Sequence, residues 1–381
     1  MDNQATTPVD QRVLNEMLPY FNELYANASS TDHRPGAAAA EAVENARAQV
    51  ASTIGAREEE IIFTSGATES DNLAIQGAAM QLKDRGSHIV TCTTEHKAVL
   101  DVCTYLQSKG WSVTCLPVDS KGNIDLESLE SAITPQTVLV TIAFANNEIG
   151  TISEIEKIGR ITRDHGILLH TDAAQAVGHV PVDVNRMNID LMSMSAHKAY
   201  GPKGVGGLFI RRHNPRVEIS PLVHGGGQEK GLRSGTLNVP GIVGFGKALE
   251  IANEEMASEG RRLSDWTAKM RREFAEQFQG AEQNGHPTRK LPHNLNMYFP
   301  KIESKAIIQA VSSELAVSAG SACATSQIEP SHVIMALGYG PERAHSSIRF
   351  GLGRFNTRQE IEYAIGRIVS VAGRLQRIQV N

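Results

Sequence analysis

The chain has 381 residues, of which 41% are hydrophobic and 21% are charged, and its formal net charge is -5. This length allows two domains with a large buried core, and the composition is typical of a globular protein. The negative charge argues against nucleic-acid binding through bulk electrostatics. No apolar run approaches the roughly 18 residues of a membrane helix, and the N-terminus lacks the pattern of a signal peptide. We therefore expect a cytoplasmic enzyme.

The four cysteines are Cys92, Cys103, Cys115 and Cys323. They form neither a C-x-x-C pair nor a zinc-binding spacing, so the sequence predicts no disulfide framework and no metal site. The first three fall in a predicted strand, helix and strand, and we expect them to pack as small buried hydrophobic residues. Cys323 lies in V-S-A-G-S-A-C-A-T-S-Q, a run of small residues with no pattern that would bury it.

The N-terminal part predicts a turn at A-T-T-P-V-D, a helix over residues 12–24, a polar loop over 25–36 and an amphipathic helix over 37–54. The next segment, I-I-F-T-S-G-A-T-E-S-D-N, predicts a strand, a glycine turn and a helix, with Thr68 and Asp71 at the spacing of a capping box.

A helix that begins directly after a glycine turn can present free N–H groups to an anion. We therefore interpret Gly66, Ala67 and Thr68 as a candidate phosphate cradle. An ordinary capped helix would explain the same residues, because capping signatures are common.

Four predicted strands lead to polar side chains. The runs H-I-V-T-C and T-V-L-V-T-I precede His96 and Asn147, and the runs G-I-L-L-H-T-D and I-D-L-M-S-M-S lead to Asp172 and Lys198. Carboxyl ends of parallel strands meet at one edge of an α/β sheet, where ligands bind. Pyridoxal phosphate needs a lysine for its Schiff base and an acid on its pyridine nitrogen. Each residue alone has an ordinary structural explanation, but their convergence favours a site for this cofactor.

The C-terminal half begins with a glycine-rich loop over residues 224–238, in which Arg233, Ser234 and Thr236 are a candidate second anion contact or part of a flexible surface loop. A long helical pattern over residues 243–279 follows, and strands and helices alternate after it. We place a domain boundary near Met256.

The predicted architecture is an α/β fold with a large cofactor-binding domain over residues 10–255 and a small C-terminal domain over residues 256–381. We expect residues 1–9 to pack against the small domain.

The motifs resemble those of the IscS/NifS type of cysteine desulfurase, among the fold-type I, class V aminotransferase-like pyridoxal-phosphate enzymes. The strings that carry the resemblance are F-T-S-G-A-T-E-S-D-N-L-A, T-E-H-K-A-V-L, N-N-E-I-G, H-T-D-A-A-Q, S-A-H-K-A-Y-G-P-K-G, H-G-G-G-Q-E-K-G-L-R-S-G-T, S-A-G-S-A-C and S-I-R-F-G-L-G-R-F. The resemblance covers nearly the whole chain, and it implies the fold-type I transferase fold with a mostly parallel sheet in the large domain.

The resemblance places pyridoxal phosphate among Ala67, Thr68, His96, Asn147, Asp172, Gln175, Ser195, His197, Lys198 and Thr236. It implies that Lys198 forms the Schiff base, Asp172 holds the pyridine nitrogen and Gln175 binds the ring hydroxyl. His96 would stack on the ring and help to move protons. Ala67, Thr68, Ser195 and His197 would hold the phosphate, together with Thr236 of the partner subunit in a homodimer.

The resemblance further implies that Asn147 and Arg354 bind the carboxylate of L-cysteine and that Cys323 receives the sulfur. In the expected reaction the thiolate of Cys323 attacks the sulfur of the bound substrate, so alanine leaves and a persulfide remains. An acceptor protein, for iron–sulfur cluster assembly or another thiolation pathway, would then take the sulfur. No Lys, Arg or His lies near Cys323 in sequence, so its activation would come from groups distant in the chain, such as His96 or the substrate.

Two alternatives share parts of this pattern. A pyridoxal-phosphate transaminase or selenocysteine lyase would need Asp172 and Lys198 but not Cys323, and a sulfur-relay subunit without catalysis would bind no cofactor.

Family members commonly begin with several more residues and often carry a C-terminal tail that helps to dock the iron–sulfur scaffold. This chain starts at M-D-N and stops at Q-V-N, so we expect desulfuration to be retained while the sulfur acceptor stays open.

Overall fold

The computed structural model describes residues 1–319 and 329–380, and within these residues two sheets of unequal size organise the chain. The strands of the seven-stranded sheet are β1 (Ile61–Thr64), β2 (His88–Cys92), β3 (Ser112–Leu116), β4 (Thr137–Thr141), β5 (Leu168–Asp172), β6 (Leu191–Ser195) and β7 (Gly206–Ile210). The strands of the three-stranded sheet are β8 (Glu282–Gln283), β9 (Asn294–Tyr298) and β10 (Ser347–Gly351).

The helices lie between and around the strands. In chain order they are α1 (Gln11–Met17), α2 (Pro19–Asn22), α3 (Arg34–Ile54), α4 (Ala67–Leu82), α5 (Lys97–Ser108), α6 (Leu126–Ala132), α7 (Ile155–Asp164), α8 (Val239–Gln277), α9 (Ser304–Val311), α10 (His332–Ala336), α11 (Pro341–His345) and α12 (Arg358–Val380). The helix predicted over residues 12–24 is divided into α1 and α2, because Pro19 has no N–H to continue the first helix and instead starts the second.

The large sheet is mostly parallel, as predicted. Its order is β1-β7-β6-β5-β4-β2-β3, and only β7 and β1 run antiparallel to their neighbours. Buried side chains of α3, α7 and α8 cover one face and those of α4 and α5 cover the other, which explains why nearly every residue of the central strands β4, β5 and β6 is buried. The expectation for Cys115 is wrong: β3 is one of the two edge strands of the sheet, and Cys115 is exposed, whereas Cys92 and Cys103 are buried.

The pairing of β5 with β6 positions the predicted cofactor residues. The two strands are parallel neighbours, with Asp172 opposite Ser193, and a short 3₁₀ turn over Ala196–Lys198 follows the end of β6. The aspartate and the lysine therefore emerge at the same edge of the sheet, where α/β proteins bind their ligands.

The 39-residue helix α8 contributes buried side chains first to the core of the large sheet and then to the core of the small sheet. The boundary near Met256 falls inside this helix, and the division at that residue stays a prediction. The N-terminal segment contacts both parts, since Asp2 forms a bridge with Gly351 while Thr7 N donates to the carbonyl of His197. Among the described residues, no helix has the combination of length and apolarity required to span a bilayer.

His170 on β5 is fully buried, and burial lowers its pKa to about 3. In the unfolded chain it would titrate near its usual value of about 6.5, so between these values the unfolded state binds more protons than the folded state. The contribution of His170 to stability is therefore complete above about pH 6.5 and is lost as the pH falls toward 3. One proton corresponds to a slope of about 1.4 kcal/mol per pH unit.

We expect His170→Gln to weaken the acid dependence of stability, because the variant has no imidazole to protonate on unfolding. The measurement is the unfolding temperature between pH 4 and 7, where the wild type should lose stability more steeply on acidification than the variant. His213→Gln is the matched control, since His213 is exposed on the surface. Equal slopes for wild type and His170→Gln would contradict this assignment.

Candidate active site

A cavity of about 500 Å³ opens at the carboxyl ends of β2, β4, β5 and β6. This volume is within the range of small-ligand pockets. Nine of the ten cofactor residues predicted from the sequence line it: Ala67, Thr68, His96, Asn147, Asp172, Gln175, Ser195, His197 and Lys198. These residues come from segments that are up to 131 positions apart in the sequence, from Ala67 to Lys198. The sheet edge therefore assembles the predicted site.

Lys198 extends from the 3₁₀ turn toward the N-terminal segment. Its Nζ donates to the carbonyl oxygens of Gln4 at 2.6 Å and Ala5 at 2.9 Å. Its own carbonyl oxygen accepts from Nε2–H of the buried His179 at 2.8 Å. The turn and the amine of Lys198 are thus held from two sides.

Asp172, the last residue of β5, lines the same pocket and is partly exposed to it. Its Oδ1 accepts from the backbone N–H of Ala174 at 2.9 Å. Burial raises the pKa of this carboxyl group, while the bond from Ala174 and the nearby His96 and Lys198 lower it. A carboxylate in such surroundings stays ionised at a small free-energy cost only when a cationic partner lies beside it.

The glycine turn between β1 and α4 forms another wall of the pocket. The helix begins at Ala67, with Gly66 as its N-cap and without a capping side chain. The capping box predicted at Thr68 and Asp71 is therefore wrong, because Thr68 is already the second helical residue and Asp71 is buried. The first-turn N–H groups are consequently open to an anion, in agreement with a phosphate cradle.

Two side chains beside this turn suit the same anion. Ser195 at the end of β6 lies next to Gly66, and Nδ1 of His197 pairs with Oγ1 of Thr6 at 3.1 Å. Burial, with the charges of Lys198 and Lys203, lowers the pKa of His197 to about 4. The imidazole is therefore neutral near pH 7 and can donate one N–H without carrying a charge.

His96 and Gln175 line the same pocket. Nδ1 of His96 accepts from the backbone N–H of Ala98 at 3.1 Å and thereby caps α5, which leaves the proton of the neutral ring on Nε2. Gln175 is buried, and its Nε2 donates to the carbonyl of Gln4 at 3.1 Å. The segment around Gln4 thus orders both Gln175 and Lys198.

Arg354, which was expected to bind the substrate carboxylate, does not line the pocket. Its guanidinium donates to Asp10 at 3.0 Å and to Glu259 at 2.8 Å, and it lies 4.2 Å from the ring of Tyr200. These buried acids already occupy its donors. The assignment of Arg354 to the substrate is therefore corrected, because the side chain joins the N-terminal segment to α8 instead.

Arg349, five residues earlier on β10, is the arginine that lines the pocket. Its side chain is only 4% exposed, and its Nη1 donates to the carbonyl of Asn147 at 2.9 Å. The sequence analysis missed it because both arginines occur in the same motif. The signal available in the sequence was the alternation within S-I-R-F-G, where Arg349 is the polar residue between two apolar ones.

Of the other predicted residues, one does not line the pocket of its own chain and one lies outside the described residues. Thr236 is exposed on the glycine-rich loop, and its neighbour Arg233 forms an ion pair with Glu69 at 2.7 Å, so this loop supplies no residue to the cavity within the chain. Cys323 lies outside the described residues, and its role stays a prediction.

Three acids lie close together at this end of the pocket: Asp71 and Asp172 line it, and Glu95 is buried near them. Burial raises the pKa of Glu95 to about 8, and burial together with the charge of Asp172 raises the pKa of Asp71 well above its usual value. Cys92 Sγ and the N–H of Ala143 donate to Oε1 of Glu95 at 3.2 and 2.7 Å. Glu95 is therefore largely neutral near pH 7, whereas the nearby His96 and Lys198 lower the pKa of Asp172 and favour its ionised form.

The donor set fits pyridoxal phosphate. An amine and an acid face one cavity, and a helix N-terminus with neutral N–H donors lies at its end. Gly206 is needed for this turn, since a Cβ there would lie 2.7 Å from Cα of Gly66 and 2.4 Å from the carbonyl oxygen of Met194. Because Gly206 has no side chain, the backbone of β7 can pack directly against the turn at Gly66, and no side chain from this position enters the phosphate cradle.

Comparisons with known proteins agree with this geometry. The model of the aminotransferase class-V family matches residues 1–364. A cysteine desulfurase IscS of Anaeromyxobacter sp. (strain Fw109-5) is 50% identical over 378 residues, which cover 99% of this chain and 93% of the relative. A solved NifS-like protein is 39% identical with a TM-score of 0.91, covering 98% of both chains. A structure described as SspA in complex with cysteine is 37% identical with a TM-score of 0.82, covering 93% of this chain and 99% of the other.

Identity of this extent over nearly the full length shows more than a shared fold. The chain belongs to the class-V aminotransferase family and, within it, to the pyridoxal-phosphate-dependent cysteine desulfurases of the IscS/NifS type.

Proposed function

We propose that this protein removes sulfur from L-cysteine, releases L-alanine and holds the sulfur as a persulfide on Cys323. The observation that carries the proposal is that Lys198, Asp172 and Arg349 line one cavity, since it offers an amine, an acid and a carboxylate-binding cation to one amino acid. The relatives named as cysteine desulfurases and the neighbour solved with cysteine support the choice of substrate.

Lys198, Asp172 and the turn at Gly66 would hold pyridoxal phosphate, which when bound would supply an electron sink for bond-breaking at the α-carbon of the substrate. Asp172 is assigned to the pyridine nitrogen, where a cationic N–H would satisfy its buried charge. Gln175 is assigned to the ring hydroxyl. Ala67, Thr68, Ser195 and His197 are assigned to the phosphate, since they surround the open helix N-terminus.

Proton movements are assigned to two side chains of the pocket. Lys198 can carry a proton on Nζ when its amine is not bonded to the cofactor, and the carbonyls of Gln4 and Ala5 stabilise that ammonium. His96 has its neutral-ring proton on Nε2, because Nδ1 accepts from Ala98. The Nε2–H can therefore donate a hydrogen bond in the pocket, and the ring can pass on a proton when it is in the imidazolium form.

The carboxylate of cysteine is assigned to Arg349 and Asn147. The Nε of Arg349 is buried and has no hydrogen-bond acceptor among residues 1–319 and 329–380. A carboxylate that reaches Nε and the adjacent Nη2 would form the bidentate pair that arginine favours. The bond from Nη1 to the carbonyl of Asn147 holds the guanidinium at the rim of the pocket.

Both flanks of the segment that contains Cys323 are anchored beside the pocket, which supports the assignment of Cys323 as the sulfur acceptor. On one side, the backbone N–H of Arg349 donates to the carbonyl of Ser318 at 2.7 Å. On the other side, Nε2 of His332 donates to the carbonyl of Glu95 at 3.0 Å, next to His96. Cys323 is five residues from Ser318, and five residues can span at most about 18 Å.

We further propose a homodimer in which Thr236 of the partner subunit completes the phosphate site. Thr236 is exposed and does not line the cavity of its own chain. The loop that carries Thr236 is nevertheless attached to the cavity wall, because its Arg233 pairs with Glu69, a lining residue. Four large hydrophobic side chains are exposed on one short stretch, which is typical of a surface that contacts another protein: Leu18, Phe21, Leu24 and Tyr25.

The finer context of the activity is also part of the proposal. The persulfide would pass to an acceptor protein of iron–sulfur cluster assembly or another thiolation pathway. A cytoplasmic setting suits this chemistry, because cytoplasmic reductants keep thiols reduced and the three cysteines in the described part of the chain are free. We keep the division into residues 10–255 and 256–381 as the proposed domain organisation.

We expect Cys323→Ser to reduce the rates of sulfide and persulfide formation from L-cysteine at least about a hundredfold, because a hydroxyl cannot accept sulfur from the substrate. The measurements are alanine production and persulfide labelling of the protein. Cys103→Ser is the control, since Cys103 is buried in α5 away from the pocket. Unchanged sulfur release by Cys323→Ser would contradict the role of Cys323 and favour a lyase that does not need this thiol, whereas an amino-group transfer from cysteine without sulfur release would favour a transaminase.

We expect Arg349→Lys to raise KM for L-cysteine by about ten- to a hundredfold, because lysine cannot form the bidentate pair. Steady-state kinetics provide the measurement. Arg354→Lys is the matched variant: it should lower the unfolding temperature, since Arg354 bonds to buried acids, while KM stays near the wild-type value. A KM effect in Arg354→Lys and none in Arg349→Lys would restore the assignment predicted from the sequence.

A further inference from the structure

We propose that Asp2 is a positioning residue for substrate recognition, which fixes the plane of the Arg349 guanidinium so that its free edge faces the substrate carboxylate. This inference rests on the proposed role of Arg349. It concerns a residue of the N-terminal segment that does not line the cavity.

The contacts of Arg349 define the geometry. Its Nη2 donates to Oδ1 of Asp2 at 2.9 Å, and its Nη1 donates to the carbonyl of Asn147 at 2.9 Å. The guanidinium is planar and rigid, so two bonds to different η nitrogens fix its orientation. Nε remains without an acceptor in the described part of the chain, and Nη2 has two hydrogens, of which the bond to Asp2 uses one. Adjacent donors on Nε and Nη2 are what a carboxylate needs for a bidentate pair.

Asp2 is itself held against the strand that carries Arg349. It forms a parallel bridge with Gly351, and the following N–H, that of Asn3, donates to the carbonyl of Gly351 at 3.0 Å. A Cβ at Gly351 would lie 2.8 Å from the backbone nitrogen of Gln4, so glycine is required for this close approach. Oδ1 of Asp2 also accepts from Oγ of Ser318 at 3.2 Å. The carboxylate therefore has a defined position relative to β10.

The charges favour the same role. The side chain of Arg349 is 4% exposed and that of Asp2 is 23% exposed, so the pair is largely withdrawn from water and its hydrogen bond is stronger than one on the surface. Within residues 1–319 and 329–380, Asp2 is the only carboxylate paired with Arg349 within 4 Å. Asn147 contributes a neutral carbonyl to the second bond. Removal of Asp2 would leave the guanidinium held by this weaker bond alone and free to turn away from the substrate.

The test compares Asp2→Ala, Asp2→Asn and the control Asn3→Ala. Asn3→Ala removes a bond from the same segment to Gly351 but does not touch Arg349. We expect Asp2→Ala to raise KM for L-cysteine about tenfold with kcat changed less than threefold. Asp2→Asn, which keeps an acceptor oxygen without the charge, should raise KM by a smaller factor, and Asn3→Ala should leave KM near the wild-type value.

Equilibrium binding gives a second readout that does not depend on turnover. In the Cys323→Ser background, titration of the holoenzyme with L-cysteine and with cysteamine, followed by cofactor absorbance, compares substrates with and without a carboxylate. We expect Asp2→Ala to weaken L-cysteine binding about tenfold and to leave cysteamine binding unchanged. Since Asp2→Asn preserves the side-chain shape, it provides the same comparison if Asp2→Ala does not fold.

The inference is overturned if Asp2→Ala and Asp2→Asn leave L-cysteine binding unchanged or tighten it, or if they weaken L-cysteine and cysteamine equally, since the latter result would indicate a general structural role. Failure of the underlying function looks different. If wild-type protein produces no alanine from cysteine, or if Arg349→Lys binds L-cysteine normally, the proposed function or the assignment of Arg349 is wrong, whatever the Asp2 variants do.

Discussion

The parallel pairing of β5 with β6 is the constraint on which the site depends. With Asp172 opposite Ser193, the acid at the end of one strand and the turn that carries Lys198 after the other emerge at the same edge of the sheet. Both strands are buried on both faces, so a shift by one residue would move apolar side chains away from their neighbours and would separate the acid from the lysine. The hydrophobic core that fixes this register therefore also fixes the distance across which one cofactor can be held.

The N-terminal segment connects this edge to the rest of the molecule. Its carbonyls at Gln4 and Ala5 accept from Lys198, Thr7 holds the backbone of the same turn, and Asp2 pairs with Arg349 on the small sheet. Lys198 after β6 and Arg349 on β10 thus contact one short N-terminal segment, which turns at residues 3–5. Movement of the small sheet relative to the large one would change both ends of the pocket together, so this segment sets the spacing between the cofactor end and the substrate end.

Burial determines the charge of the site as much as the identity of its residues does. Asp71, Glu95 and Asp172 lie within one buried region, and burial raises the pKa of each. Three ionised carboxylates could not coexist there, because like charges repel strongly at low dielectric. Asp172 has His96 and Lys198 nearby, whereas Glu95 accepts from a thiol and an amide, so the arrangement favours ionisation of Asp172 beside a cation and a neutral Glu95.

The sequence by itself determined those features that local patterns encode. Apolar runs identified the buried strands, the glycine turn identified the helix N-terminus, and the motifs identified Asp172, Lys198 and the family, because each depends on residues close together in the chain. Tertiary structure alone decided between Arg349 and Arg354, which are five residues apart in one motif: strand register turns the first toward the pocket, while Asp10 and Glu259 bind the second. It also decided that Cys115 is exposed on an edge strand and that Gly66 rather than Thr68 caps α4. These outcomes depend on partners distant in sequence, and no local pattern contains them.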